Sequence, residues 1–225
     1  MAGPDRRDPH SVALLDVPPP SGPRIAVSPR LGLGVAVDPD VMAAFDAAVA
    51  KLRAAGWRIE QADVAWPGDT SETAFSAVNS SASALLYGER HAADKDLFGD
   101  NISGLIERGR SVPGTDVVAA FRFADACARS VAQFFTEYDY LLTPTTACVS
   151  WPVEQVHPKI IENREVGPRG HAAFTPLFNL ALAPAISIPC GTGRDDLPVG
   201  LQIVAPRLHD RPLLAMAQRA EMALD

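Results

Sequence analysis

The span from residue 24 to residue 64 constrains the fold of this chain more tightly than any other. It opens with Arg24-Ile25-Ala26-Val27-Ser28, a short β-rich run behind the turn material Pro18-Pro19-Pro20-Ser21-Gly22-Pro23. Asp38 then offers a helix N-cap with Pro39 at the first helical position, and Val41, Phe45, Ala48, Val49 and Leu52 recur at helical spacing until Gly56 supplies a stop. Residues 58–64 follow as a second strand, with Ile59, Ala62 and Val64 as its apolar members. Strand, helix and strand in that order favour parallel pairing through a right-handed crossover, because two parallel strands need a crossover of this length.

The pattern continues along the chain. Residues 71–90 are helical in period, and residues 94–113, rich in charge, Gly and Ser, read as an irregular excursion. Thr115 or Asp116 caps a long helix whose expected buried stripe is Val118, Phe121, Ala124, Ala128, Val131 and Phe135. Residues 138–142 form a strand ending at Thr143-Pro144-Thr145; residues 151–171 read as surface loop and residues 180–189 as a buried strand. Asp195-Asp196 marks a turn between two apolar strands and residues 200–205 give a last strand. Asp210 caps a final helix with Leu213, Leu214, Ala217, Ala220 and Leu224 inward. Alternating strands and helices make the class α/β.

Composition narrows the function. At 225 residues and 47% hydrophobic content the chain can bury a substantial core. Its net charge is −7 with basic residues scattered, so no stripe exists to neutralise a row of phosphates, and nucleic acid is not an expected partner. No run of about 18 apolar residues occurs and residues 1–16 contain no apolar leader segment, so neither a membrane nor a secretory route is expected. Cys127, Cys148 and Cys190 lack a C-x-x-C spacing and form an odd set, which fits a reducing cytoplasm rather than a disulfide framework or a zinc ribbon.

Three stretches carry a family resemblance. Met1-Ala2-Gly3-Pro4-Asp5-Arg6-Arg7-Asp8-Pro9 looks like the linker that follows the catalytic core in amidase-signature enzymes. Tyr138-Asp139-Tyr140-Leu141-Leu142-Thr143-Pro144-Thr145 is similar to that family's D-x-L-L-T-P-T strand and loop. Phe174-Thr175, Asn179, Pro184-Ala185-Ile186-Ser187-Ile188-Pro189-Cys190-Gly191 and Leu197-Pro198-Val199-Gly200-Leu201-Gln202-Ile203-Val204 follow its C-terminal pattern in order and spacing. Leu177 stands where the pattern has proline and Leu182 where it has glycine. The second departure bears on backbone freedom, since Leu cannot easily take a positive φ or permit close backbone approach.

The resemblance implies a fold in which one mixed sheet is flanked by helices, with this chain as an incomplete, C-terminal portion of a single domain: residues 1–23 a linker-like entry, residues 24–225 the α/β body. It implies hydrolysis of a carbon–nitrogen amide bond in the complete enzyme. There one serine attacks the carbonyl, a second relays the proton and a lysine is the base, beside a Gly-Gly-Ser-Ser-Gly-Gly-like loop whose backbone donors hold the oxyanion. This sequence contains no such loop, and the chain is therefore expected to be inactive alone. Its lysines are Lys51, Lys95 and Lys159, and its Ser-Ser pair, Ser80-Ser81, lies in a glycine-free stretch of helical period. Lys51 reads as a solvated charge on the first helix.

Other chemistries are weaker. Cys190 precedes a glycine after a strand but has no marked histidine partner, and reads as a small apolar residue at a strand end. His10, His91, His157, His171 and His209 are dispersed with no i, i+4 pair, and Gly32-Leu33-Gly34 has Val37 at the third glycine position of a dinucleotide loop. No cofactor and no metal are expected. Candidate substrate contacts are Thr143 and Thr145, beyond the carboxyl end of a strand, and Phe174 as an apolar wall. The alternatives are that the threonines only shape the turn around Pro144 and that Phe174 is a core aromatic.

Three readings stay open. The chain is the back part of an ordinary amidase whose Met1 is an internal methionine, or one component of a split amidase that docks with a separate N-terminal half, or a non-catalytic binding module. The family's substrates include small aliphatic and aromatic amides, ureas, fatty amides and amidated transfer-RNA adducts, and the sequence does not choose among them.

Overall fold

The computed structural model describes residue 7, residues 12–13, residues 17–68 and residues 71–225. The linker-like stretch at residues 1–9 therefore lies, Arg7 apart, outside the described residues. The chain divides into two compact units, Met1–Ala65 with Ala128–Asp225, and Trp66–Cys127.

The first unit is built on a five-stranded mixed sheet. Strands β1 (Ile25–Val27), β2 (Ile59–Gln61) and β3 (Tyr140–Pro144) run parallel, with β1 between the other two. Beyond β3 come β7 (Pro198–Val204) and the edge strand β6 (Ala185–Thr192), both in antiparallel pairing, for an order β2-β1-β3-β7-β6. Helix α1 (Pro39–Ala54) links β1 to β2 as the sequence predicts, and its buried residues are the five expected, Val41, Phe45, Ala48, Val49 and Leu52. Asp38 Oδ1 accepts from the Asp40 N–H at 3.0 Å and caps it.

One face of the sheet, Ile25, Val27, Tyr140, Leu142, Ile188, Leu201 and Ile203, packs on α1 and on α6 (Asp210–Leu224) through Leu213, Met216, Ala217 and Ala220. Two expectations shift here. The inward face of α6 uses Met216 where the sequence suggests Leu214, and Leu214 is exposed. Residues 180–189 do not form one buried strand: α5 (Pro176–Leu180) ends there, and β6 begins at Ala185 with Ile188 its one buried residue, because it is an edge strand covered on a single face. The expected loop at residues 151–171 contains a two-stranded ribbon, β4 (Ile160–Ile161) with β5 (Arg164–Glu165), turned by Glu162 (φ 53°) and Asn163 (φ 57°). Arg30 makes a bidentate ion pair with Glu162, with one contact at 2.8 Å, and Arg164 donates to the Gly34 carbonyl at 2.8 Å, so the ribbon is tied to the loop after β1. The Gly32-Leu33-Gly34 loop serves this turn, with Gly32 (φ 68°) packed on Asp63.

The second unit is helical. Helix α2 (Ser71–Ala93) packs on α3 (Asp100–Gly109), and a small apolar cluster of Ala74, Ala77 and Ala120 joins α2 to the first turns of α4 (Gly114–Phe134). Residues 94–113 are thus not irregular; α3 occupies most of them, and it escapes the periodicity because Ile106 is its one fully buried residue. The stripe of α4 is also displaced: Ala120, Cys127, Val131 and Phe134 are buried, while Val118 and Phe121 are each 59% exposed.

Candidate functional site

The site grows from the end of β3. Side chains alternate along a strand, so with Tyr140 and Leu142 committed to the helix-covered face, Leu141 and Thr143 face the other way, and the register Thr143↔Gln202 sets Gln202 beside Thr143. Gln202 is 4% exposed, and its amide nitrogen is fully used: Nε2 donates to Thr143 Oγ1 at 2.9 Å and to the Phe174 carbonyl at 3.1 Å. Thr143 Oγ1 donates in turn to the Pro144 carbonyl at 2.8 Å. A buried amide with its donors matched is stable where an unmatched one would cost about 1–3 kcal/mol. The bonds tie three separated stretches, 143–144, 174 and 202, into one wall.

On the open side of that wall lies a hydroxyl pair. Thr145 continues the ladder, its N–H donating to the Gly200 carbonyl at 2.9 Å, and its Oγ1 lies 2.7 Å from Ser187 Oγ. Ser187 sits opposite Gln202 in the sheet and is exposed; Thr145 is half-buried. Gly200 makes room for both: a Cβ there would stand 2.6 Å from Ser187 Oγ and 2.8 Å from Thr145 Oγ1. Of the three expected contacts, Thr145 alone presents surface. Thr143 and Phe174 are both 0% exposed, so they support the wall from behind. Sequence reasoning overlooked Ser187, Gly200 and Gln202. The signal was available in Ala185-Ile186-Ser187-Ile188-Pro189, whose strict alternation sends Ser187 away from the isoleucine face.

The hydroxyl pair offers hydrogen-bond donors and acceptors and no activated nucleophile. Ser187 has another hydroxyl as its hydrogen-bond partner, which is no base, so this geometry does not activate it as a nucleophile. Cys190 is half-buried and burial pushes its thiol up to about 11, which leaves it protonated near neutral pH. Ser80 is buried in α2 and donates to the Ser76 carbonyl at 2.6 Å, as an ordinary helical serine does. Lys51 is an exposed charge on α1, as expected, and its Nζ donates to the Leu224 carbonyl at 2.9 Å, at the last turn of α6. Lys95 pairs with Glu107 at 3.3 Å. Among the described residues no group of His, Cys, Asp and Glu is placed to hold a metal ion, and no helix is long and apolar enough to cross a membrane.

The β6–β7 hairpin that carries Ser187 and Gly200 is anchored at its tip. In the turn Arg194–Asp196, with Asp195 (φ 55°) and Asp196 (φ 56°) left-handed, Arg194 pairs with Asp38 and, at 3.2 Å, with Asp40; its N–H donates to Asp40 Oδ2 at 3.1 Å. The hairpin is thereby fixed to the N-terminus of α1.

Comparison with known proteins bears on the family and the fold. The chain is 32% identical over 233 residues to an acylamidase of Rhodococcus erythropolis, covering 98% of this chain and 48% of that protein. It is 30% identical over 253 residues to a component of the glutamyl-tRNA(Gln) amidotransferase of Symbiobacterium thermophilum, covering 96% of this chain and 49% of that protein. The fold superposes on the crystal structure of a bacterial aryl acylamidase of the amidase signature family with a TM-score of 0.79 at 24% identity, over 98% of this chain and 49% of that one. The chain thus spans about half the length of the relatives it matches. Residues 1–214 match the Amidase family, a span that takes in all of the second compact unit and the first up to residue 214, and the chain belongs to that family.

Proposed function

We propose that this chain supplies the C-terminal half of an amide hydrolase, and that the serines and lysine of the reaction lie on a segment outside this sequence. The observation that carries the reading is the coverage: 98% of this chain corresponds to 48% of the acylamidase. The lack of a glycine-flanked Ser-Ser loop supports it, as do the engagements of Lys51, Lys95 and Ser80 in ordinary structural bonds. In this reading the chain contributes one wall of the substrate cleft, with Thr145 as a contact and Thr143 and Phe174 as its buried support. The substrate is a small-molecule amide, in keeping with relatives named for acyl amides and for a glutamyl amidotransferase. The three cysteines are free thiols, which supports a reducing compartment such as the cytoplasm.

The test is complementation. The purified chain alone is expected to release no product from an aryl acylamide, and to do so once mixed with an N-terminal half carrying the serines and lysine, such as that of the acylamidase relative. Changing the nucleophilic serine of that half to alanine abolishes the release. If the mixture stays inactive while this chain alone is soluble and unfolds cooperatively, the binding-module reading replaces this one.

A further inference from the structure

We propose that His171, Arg169 and His157 form a binding site for a small oxyanion, a carboxylate or a phosphate, beside the Trp151 ring, a site that does not depend on the amidase reading. The three basic residues come together around the β4–β5 ribbon. His157 precedes the ribbon and Arg169 and His171 follow it, and the ladder extends outward through the Val166 N–H, which donates to the Lys159 carbonyl at 2.9 Å, so the ribbon returns the chain toward His157. Gly170 permits a tight path there, since a Cβ on it would stand 2.5 Å from Val166 Cβ. The Ala147 N–H then fastens the His171 carbonyl at 3.0 Å. The anchors of this segment are thus Ala147 after β3 and Arg30 and Gly34 after β1, not the edge strand β6.

The surroundings of His171 call for a negative charge. Trp151 Nε1 donates to the Gln155 carbonyl at 2.9 Å, and the indole ring lies 4.8 Å from the imidazole, so His171 is held against a flat apolar surface. Its Nδ1 is buried there with no hydrogen-bond partner among the described residues. A buried polar atom left unmatched is costly, and a ligand that matches it recovers that cost. Burial first, and then the charges of Arg169 and His157, hold the imidazole below its ordinary range, and no carboxylate is among the groups that move it. His157 Nδ1 lies 3.1 Å from the Pro158 carbonyl, which sets the orientation of its ring. His157 also lines a cavity of about 700 Å³ formed by residues 154–160, where Glu154 and Lys159 oppose one another in charge and leave the positive sum of the cluster in place. An oxyanion supplies what is missing: an acceptor for Nδ1–H, and a negative charge for a guanidinium whose fork matches carboxylate and phosphate oxygens.

The experiment is an NMR titration of the full chain, ring-labelled at histidine, with sodium acetate and with inorganic phosphate, against sodium chloride at equal ionic strength. The oxyanion is expected to shift the His171 ring resonances saturably and to raise the His171 titration midpoint by about one unit, the equivalent of roughly tenfold tighter binding to the imidazolium. Chloride is expected to leave both in place. Because the bound anion favours the charged ring, its apparent affinity falls as pH rises through the midpoint. A response to acetate marks the site as one for a carboxylate, and a response to phosphate alone as one for a phosphate. No saturable shift of His171 with either, or an equal response to chloride, overturns the site. His171→Phe keeps a ring against Trp151 but removes Nδ1, and is expected to abolish the binding, read at the His157 ring and the Trp151 indole. Arg169→Gln weakens it roughly tenfold, the loss expected for one charge-assisted hydrogen bond. Undiminished affinity in either variant also overturns the site. The titration of the unsubstituted chain decides the matter even if His171→Phe does not fold. None of these readouts involves hydrolysis, so their failure leaves the amidase reading standing.

Discussion

Leu182 and Gly56 occupy the same place in two helix endings. After α1, Gly56 (φ 88°) donates to the Arg53 carbonyl at 3.0 Å and Trp57 to Leu52 at 3.1 Å; after α5, Leu182 (φ 54°) donates to Asn179 at 3.2 Å and Ala183 to Phe178 at 3.1 Å. Both sets are the paired bonds of a Schellman ending, which wants a left-handed residue at this position and so favours glycine. Leu182 meets the requirement with a side chain that is 61% exposed and therefore recovers little by burial. The amidase resemblance marks this position as a glycine, so the strain was legible from residue identity alone. Leu182→Gly should stabilise the chain by roughly 1 kcal/mol, the cost of holding a branched residue left-handed less the added chain freedom of glycine. Urea unfolding followed by circular dichroism measures it; an unchanged or lowered midpoint contradicts the assignment.

Among the elements, those with a buried face of several residues were legible and those without were not. Helix α1 shows five buried positions and matches the sequence reading, whereas α3 buries Ile106 alone and β4 and β5 have two residues each, too few for any period to appear. The phase of α4 misled for a related reason: its apolar residues extend around the helix, so Val118 and Phe121 read as core while Ala120 and Cys127 are. The wall of the site was half legible, because Thr145 and its neighbours form a recognisable motif but the partnership of Ser187, Gly200 and Gln202 depends on register between strands. What replaces periodicity at the weak elements is specific contact. In the second unit, a Cβ on Gly109 would overlap the Ser80 carbonyl, so α2 and α3 approach through a glycine. Gly109→Ala is expected to cost about 1–3 kcal/mol by forcing the helices apart, read as a fall in the unfolding midpoint, and a midpoint equal to that of the unsubstituted chain would refute the close approach. In the first unit, the hydrogen bonds from the Arg30 guanidinium, aided by the Val37 N–H, hold the Glu162 carboxyl down from 4.5 to about 2. A depressed carboxylate stabilises the folded form fully above its ordinary range and loses that contribution as pH falls toward the folded value. The ribbon should therefore stay docked at neutral pH and loosen from about pH 4.5 down to about 2. Carboxyl-carbon NMR of Glu162 follows the titration directly, and a midpoint near 4.5 would mean that the Arg30 pair does not hold.

At the scale of the whole molecule, the sheet and the helices have unequal claims to completeness. The helix-covered face of the sheet is closed by α1 and α6, but Ser187, Ala185 and Pro189 on the other face of β6 are exposed, and β6 is a sheet edge. Leu85, Leu86, Val118 and Phe121 in the helical unit are large apolar side chains each more than half exposed. Open edges and apolar faces of this kind promote association, and they are the surfaces expected of a chain that corresponds to about half of each relative. That this chain is half of one folded unit is tested most directly by amide hydrogen exchange along β6, measured for the chain alone and mixed with the N-terminal half of the acylamidase relative. The amides of Ala185–Thr192 that do not bond to β7 should exchange fast alone and slow by more than about tenfold in the mixture; equal exchange in both samples would contradict the claim.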